Sequence, residues 1–416
     1  MFALVDCNSC YASCEQIFRP DLRNKPIVVL SNNDGCIVTR SKEAKDLNIP
    51  NFEAFFKLKP LLSKNNVHVF SSNYELYGDI SSRIMRLLNS FTPHMEIYSI
   101  DEAFLDVGGM SNLAVYANDI KRACWKQHRM PVCVGVGKTK TLAKLANHIA
   151  KKSHKLEGVA VIKDINQWTN VFKKIPVSQV WGVGSRINKR LETLGVYSVQ
   201  DLRDQNPKAM RKDFGVTLER TIRELNGEVC HSLELEPAPK KEIFCSRSFS
   251  EKITSLAEIE ESVANYTVRA CEKLRRQKSL TRQIYVTIQT SRFNELRYSN
   301  SLSTEIEYPT NDTRLILQKT SQLTRQLYKP GYRYARAGVG LLDLSVRENQ
   351  QTDLFTEGQS KSSIKTMQVI DSINKKYGKG EVFFGSQGIQ RKWSMSRQYK
   401  SPAYTTRIKD LPIVKL

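Results

Sequence analysis

Two short apolar runs of this chain carry acids where a strand ends or bends, and that combination narrows what the chain can build. Residues 2–6, Phe-Ala-Leu-Val-Asp, read as a buried strand that delivers Asp6 to its C-terminal edge. Residues 96–107, EIYSIDEAFLDV, read as two strands bent around Asp101 and Glu102. Successive strand residues point to opposite faces, so these two acids can converge only where the chain bends. Their apolar neighbours Ile97, Ile100, Phe104 and Leu105 make it costly to leave the carboxylates buried and unpaired. Converging carboxylates suit the hard divalent cations that phosphoryl transfer uses. A solvated acidic turn would show the same spacing, and spacing alone leaves both readings open.

The surrounding pattern is mixed. Residues 26–30, 36–39, 67–70, 132–136 and 158–162 read as short strands, with the turn-rich run 31–35 between the first two. Residues 41–47, 74–88, 112–127 and 142–150 read as helices. This predicts an α+β catalytic domain over residues 1–165. Residues 166–232 are mostly helical, with glycine-centred turns at Gly182–Gly184 and at Gly215. Residues 233–241, with two prolines and a charge switch, read as a linker. Residues 242–345 read as a smaller α+β domain, with a strand at 283–290 and helices near 256–277 and 311–328. Residues 346–416 read as a polar, interrupted tail. The fold class expected is therefore α+β multidomain.

Charge identifies the kind of partner. Lys and Arg number 64 against 42 Asp and Glu, a formal net charge of +22. Such an excess over a chain with ordinary hydrophobic content, 40%, suggests a polyanion: nucleic acid or an anionic membrane surface. No apolar run reaches the roughly 18 residues of a membrane span. The N-terminus meets Asp6 and has no basic stretch, so it does not read as a signal peptide. A cytoplasmic protein is expected, and its nine cysteines should be thiols.

Two motifs invite other readings. Cys7-x-x-Cys10-x-x-x-Cys14 has a redox or zinc flavour, but no second pair completes a four-ligand site. Small packing residues account for these thiols better. The run 135–141, GVGKTKT, follows a strand and opens a helix, yet the first glycine of a P-loop would fall on Val132. Around Gly182 and Gly184, backbone N–H groups at a helix start can hold a DNA phosphate without reading sequence. The basic stretch 272–297 is consistent with a second backbone-gripping surface.

Several motifs in order resemble one family: DCNSCYASCE at 6–15, SNNDG at 31–35, SSNYELY at 71–77, YSIDEAF at 98–104, KTLAK at 140–144, CSRSF at 245–249 and YTTR at 404–407. Together they closely resemble the Y-family DNA polymerases, in particular the UmuC-type subunit of bacterial DNA polymerase V and its plasmid-borne relatives. The resemblance implies a right-hand polymerase with palm (1–165, fingers inserted at about 28–77), thumb (166–232) and little finger (242–345). It implies an error-prone translesion enzyme of SOS-type repair and mutagenesis, working with two Mg²⁺ ions on dNTPs and primed template DNA. Asp6, Asp101 and Glu102 match the catalytic, metal-binding carboxylates, and the Cys7 backbone carbonyl matches a further metal ligand. Tyr11 falls on the aromatic steric gate against a ribose 2′-hydroxyl. Lys45 and Lys151 fall where the family meets the incoming triphosphate, and Gly182 and Gly184 match the thumb's DNA-backbone contact.

Within the tail, Gln351-Thr-Asp-Leu354-Phe355 resembles the bacterial sliding-clamp peptide, with Leu354 and Phe355 as anchors. The resemblance also implies a processed UmuD-type dimer and a RecA filament as partners. The rival readings are a non-catalytic DNA-binding scaffold and a nucleotide cyclase with a similar palm. Intact Asp6, Asp101 and Glu102 weigh against the first. The thumb-like hairpin and clamp peptide weigh against the second.

Overall fold

The structure, a computed structural model, describes residues 1–346, 358–389 and 393–411. These form two compact units: Met1–Pro237 with Gln398–Leu416, and Ala238–Arg397.

In the first unit, β1 (Phe2–Cys7) leads into α1 (Cys10–Phe18). A small subdomain follows, of β2 (Ile27–Leu30), β3 (Ile37–Arg40), α2 (Lys42–Asp46), α3 (Phe55–Lys64) and β4 (His68–Ser71). Its three-stranded sheet runs β3-β2-β4, with β2 antiparallel to β3 and parallel to β4. The chain then forms α4 (Tyr74–Asn89), β5 (Met95–Ile97), β6 (Glu102–Asp106), α5 (Leu113–His128), β7 (Val132–Gly137), α6 (Lys140–Lys152) and β8 (Val159–Ile162). The main sheet runs β5-β6-β1-β7-β8, with β1 antiparallel to both neighbours.

Strand periodicity divides the side chains of β1 between two layers. Ala3, Val5 and Cys7 enter a core with Leu76, Ile80 and Ile84 of α4 and Ile120 of α5. Leu4 faces the other way, onto Phe104 and Ala143 of α6. The contact between β7 and α6 explains the glycines of the P-loop-like run. A Cβ on Gly135 would lie 2.1 Å from the Asn147 backbone nitrogen, and one on Gly137 2.7 Å from that of Ala143. They are close-packing residues, and Thr139 caps α6 by accepting from the Leu142 N–H.

Five further helices follow in this unit among the described residues: α7 (Thr169–Phe172), α8 (Ser185–Glu192), α9 (Val199–Arg203), α10 (Pro207–Phe214) and α11 (Val216–Leu225). They and the turn before α8 bury Phe172, Val183, Leu191, Leu218 and Ile222 against Leu142, Leu145 and Ile149 of α6. Buried Glu224 of α11 fixes the joint, its Oε2 accepting from the N–H of Thr141 at 2.9 Å and from its hydroxyl at 2.6 Å. Helix α6 therefore has a sheet side and a helical side, and little of it meets solvent.

The second unit is an antiparallel sheet in the order β11-β10-β12-β9, built from β9 (Ile243–Ile253), α12 (Leu256–Arg276), β10 (Ser279–Thr290), β11 (Ser299–Thr310), α13 (Thr313–Leu327) and β12 (Tyr334–Val346). Ile284, Val286 and Ile288, at every second position of β10, are buried with Ile259, Val263 and Ile316 of the two helices.

The stretch expected to be an interrupted polar tail is more ordered than that, and it is shared between the units. Residues 361–377 form α14 (Lys361–Tyr377) on the second unit. Its bonds there are polar: Arg275 donates to both Asp371 oxygens at 2.7 and 2.8 Å, and the Ser363 hydroxyl to Asp312 at 2.6 Å. Of its apolar side chains only Met367 is fully buried. That is why periodicity gave so weak a signal. Residues 398–411 belong to the first unit. The clamp-like peptide with Gln351, Leu354 and Phe355 lies outside the described residues.

Candidate active site

The antiparallel register of β1 and β6 sets Asp6 opposite Glu102. Directly opposed residues share a face, so both acids lie on the α6 side of the sheet, where Leu4 meets Ala143. Helix α6 answers with two cations seven positions apart, a spacing of two turns on one side of a helix. The Lys144 ammonium pairs with Glu102 at 3.0 Å, and that of Lys151 with Asp6 at 2.6 Å.

Asp101 reaches the site because the chain bends over residues 99–101, as its pairing with Glu102 in the sequence requires. The Ser99 hydroxyl clamps the bend, donating to the Asp101 carboxylate at 2.6 Å while accepting from the N–H of Glu102 at 3.0 Å. The Cys7 N–H donates to the Asp101 carbonyl at 2.9 Å and ties the bend to the end of β1.

A cleft of about 380 Å³ opens beside these acids, lined by Asp6, Cys7, Tyr11, Lys45, Asp101 and Lys151 among others. Six of the residues singled out in the sequence thus share one cavity. Arg40, at the end of β3, is a cationic wall residue that sequence reading missed. Lys45 donates to the Ser9 hydroxyl at 2.8 Å. Tyr11 stacks on Tyr77 at 4.6 Å between ring centroids.

Burial dominates the electrostatics of the site. Burial pushes the Asp6 carboxyl up to about 6 despite its pairing with Lys151, and nearby Glu102 adds to the rise. Burial likewise raises Asp101, opposed by the Ser99 hydrogen bond. Lys45 is lowered by burial first and then by Arg40 and Lys151. Among the described residues no three His, Cys, Asp or Glu side chains close on one point as metal ligands. Two of the carboxylates are instead neutralised by ammonium groups.

Lys144 carried no role in the sequence reading. Its ammonium lies over the rings of Tyr98 at 4.4 Å, Trp181 at 5.5 Å and Phe104 at 5.6 Å. Its signal was the seven-residue interval to Lys151, which acquires meaning only once the Asp6–Glu102 register is known. Gly182 and Gly184, before α8, do not line this cleft. Gly182 has φ +89°, the region glycine favours, and α8 begins without a side-chain cap. The three thiols Cys7, Cys10 and Cys14 are buried and free, as packing residues should be.

Comparison with known proteins decides the family. Residues 5–148 match the impB/mucB/samB family and residues 240–354 its C-terminal domain, while 365–414 match a domain of unknown function, DUF4113. The chain is 45% identical to Protein UmuC of Salmonella typhimurium over 422 residues, covering 100% of both. The chain belongs to the impB/mucB/samB family. Protein MucB of Escherichia coli is 41% identical over 423 residues, again covering 100% of each chain. DNA polymerase IV of Pelotomaculum thermopropionicum is 26% identical over 397 residues, covering 91% of this chain and 93% of the relative. Among solved structures, a Y-family DNA polymerase chimera of Dbh and Dpo4 superposes with a TM-score of 0.67 at 22% identity, covering 83% of this chain and 100% of that one. This impB/mucB/samB protein is a UmuC-type, Y-family DNA polymerase acting in damage bypass. Polymerases of this family need divalent metal ions, and the oxygen donors Asp6, Asp101 and Glu102 are of the type that such hard cations take. No helix among the described residues is long and apolar enough to cross a membrane.

Proposed function

We propose that the cleft between Asp6, Asp101, Tyr11, Lys45 and Lys151 is where this polymerase adds a deoxynucleotide to a primer opposite damaged template. The observation that carries the reading is the joint placement of those side chains in one cavity, with Glu102 set across from Asp6 by strand register. Asp6, Asp101, Glu102 and the Cys7 carbonyl would hold two Mg²⁺ ions. Such ions activate the primer 3′-oxygen and stabilise the leaving pyrophosphate. A carboxylate that burial penalises, such as Asp6, gains most from a cation at its side.

The chain's own groups do the rest. Lys45, Lys151 and Arg40 line the same cavity as the acids and meet the negative triphosphate, so that Lys151 exchanges Asp6 for a phosphate oxygen. Tyr11 closes the floor against a ribose 2′-hydroxyl. The subdomain 28–77 corresponds to the fingers, residues 1–165 otherwise to the palm, 166–232 to the thumb and 242–345 to the little finger. The uncapped start of α8 behind Gly182 and Gly184 grips template or primer phosphate. The enzyme works in the cytoplasm, with the peptide at Gln351, Leu354 and Phe355 docking on the sliding clamp, and with a UmuD-type processed dimer and a RecA filament as partners.

The test is primer extension across an abasic template with Mg²⁺, the partners added singly and together. Asp101→Ala or Glu102→Ala should abolish nucleotide addition while leaving DNA affinity nearly intact, a loss of several powers of ten at ~1.4 kcal/mol each. Normal extension by either mutant would remove the carboxylates from the mechanism.

A further inference from the structure

We propose that residues 398–411 form a strap that positions Tyr11, and so help set how strictly the enzyme rejects ribonucleotides. The inference rests on the reading of Tyr11 as the gate and adds to it the groups that hold the gate in place.

Residues 399–404 of the strap are bound to the rest of the first unit at several points. At its start, the Ser71 N–H donates to the Tyr399 carbonyl at 3.0 Å and the Tyr399 N–H to the Ser71 hydroxyl at 2.9 Å. Tyr399 also packs edge-on against Phe55. Further on, Tyr404 stacks on Phe18 of α1 at 4.7 Å between ring centroids.

Between those anchors the strap holds the N-terminus of α4. The Asn73 side-chain amide donates to the Ser401 carbonyl at 3.1 Å, the Ser401 hydroxyl oxygen at 3.0 Å and the Pro402 carbonyl at 3.2 Å. Asn73 is also the cap of α4, accepting from the Leu76 N–H. The first residue of that helix, Tyr74, and Tyr77 about a turn on are the two rings against Tyr11: Tyr77 stacked on it, and Tyr74 edge-on at 6.1 Å.

A second route runs through Glu15. The Ser401 hydroxyl donates to its Oε1 at 3.0 Å, and the Tyr77 hydroxyl donates to the same oxygen at 2.6 Å. Glu15 lies fully buried on α1, one turn beyond Tyr11. Its other oxygen, also buried, has no hydrogen-bond partner among the described residues, so the carboxyl group depends on these two hydroxyls for its satisfaction. Strap, Glu15, Tyr77 and Tyr11 therefore form one continuous series of contacts. A hydrogen-bonded ring cannot slide along its neighbour as an unbonded one can, so the series fixes the plane on which Tyr11 rests.

Ser401, Glu15 and Tyr77 are thus positioning residues, and none of them lines the cleft. The experiment measures kcat and KM for single ribo- and deoxynucleotide insertion by the full chain. Ser401→Ala removes the donor to Glu15, Ser401→Thr keeps it, and Tyr77→Phe keeps the stacked ring without its hydroxyl. Both Ser401→Ala and Tyr77→Phe should raise the ribo-to-deoxy ratio of kcat/KM by about threefold to tenfold, the range spanned by one lost hydrogen bond. Ser401→Thr should restore the native ratio. Merely structural damage would lower both insertions together and leave the ratio alone; that result overturns the inference. Tyr11→Ala, run beside them, separates the two readings. If it relaxes discrimination while Ser401→Ala and Tyr77→Phe do not, the strap has no part in the gate. If Tyr11→Ala changes nothing, the gate assignment fails and takes the inference with it.

Discussion

Replacing Gly135 with alanine should disable the enzyme without touching the cleft. The added Cβ would lie 2.1 Å from the Asn147 nitrogen, 2.4 Å from the Ala143 carbonyl oxygen and 2.6 Å from the Asn147 Cα. All three are backbone atoms of α6, so no side-chain rotation relieves the clash. Ordinary carbon contacts begin at about 3.5 Å, and β7 and α6 must part by on the order of 1 Å. Overpacking of this kind costs about 1–3 kcal/mol, and a backbone-to-backbone clash belongs at the upper end. The displaced helix also carries Lys144 and Lys151, and its Asn147 amide donates to the carbonyls of Leu4 and Cys133 on the strands beneath. A misplacement of about 1 Å in such a site lowers rate on the order of a hundredfold. Single-nucleotide insertion kinetics with Mg²⁺ measure the rate, and thermal unfolding measures the stability. Gly78→Ala is the control: an alanine Cβ there meets nothing within 4 Å, so neither quantity should fall. Full activity and an unchanged midpoint for Gly135→Ala would refute the close packing of β7 and α6 and the route from it to the acids.

Tyr11→Ala should raise ribonucleotide incorporation far more than it lowers deoxynucleotide use; equal discrimination in the mutant places the gate elsewhere. Replacing Leu354 and Phe355 with alanine should spare distributive synthesis and weaken clamp binding by more than tenfold, on the order of 2 kcal/mol. A clamp-binding titration checks it, and unchanged affinity would make the peptide a chance match. Burial pushes the Glu15 carboxyl from its ordinary 4.5 up to about 7. The folded chain therefore keeps a proton that the unfolded chain loses, and the stability this confers is full below the lower value and gone above the upper. Native stability relative to that of Glu15→Gln should fall by about 3 kcal/mol across that window. Urea unfolding at both ends measures it, and a constant difference would show that Glu15 does not titrate there.

Much of the first unit was legible in the sequence because its strands are short apolar runs and its helices amphipathic. The bend at Asp101 followed from two adjacent acids that had to share a site. Helix α6 begins at Lys140, earlier than its apolar pattern suggested. Lys140 and Thr141 look like surface residues, yet both are buried, paired with Glu96 and with Glu224. Helix α3 escaped notice because Pro60 sits within it. Arg40 and Lys144 could not be placed from sequence, since one depends on how a three-stranded sheet meets the cleft and the other on strand register. The strap showed only as the motif YTTR at 404–407, with no sign of what it held: its hold rests on hydroxyls, an amide, one stacked and one edge-on ring pair, which leave no periodicity.

The return of residues 398–411 also has a consequence in time. Ser401 and Glu15 are 386 positions apart, and a ribosome adding roughly 5–20 residues per second needs about 20 to 80 seconds to cover that distance. Through that interval Glu15 has Tyr77 but not its second donor. Along the chain, the second unit is begun and finished between the two segments of the first. A nascent chain interrupted before Gln398 could therefore possess every residue of the cleft and still lack the final fastening of the layer beneath it.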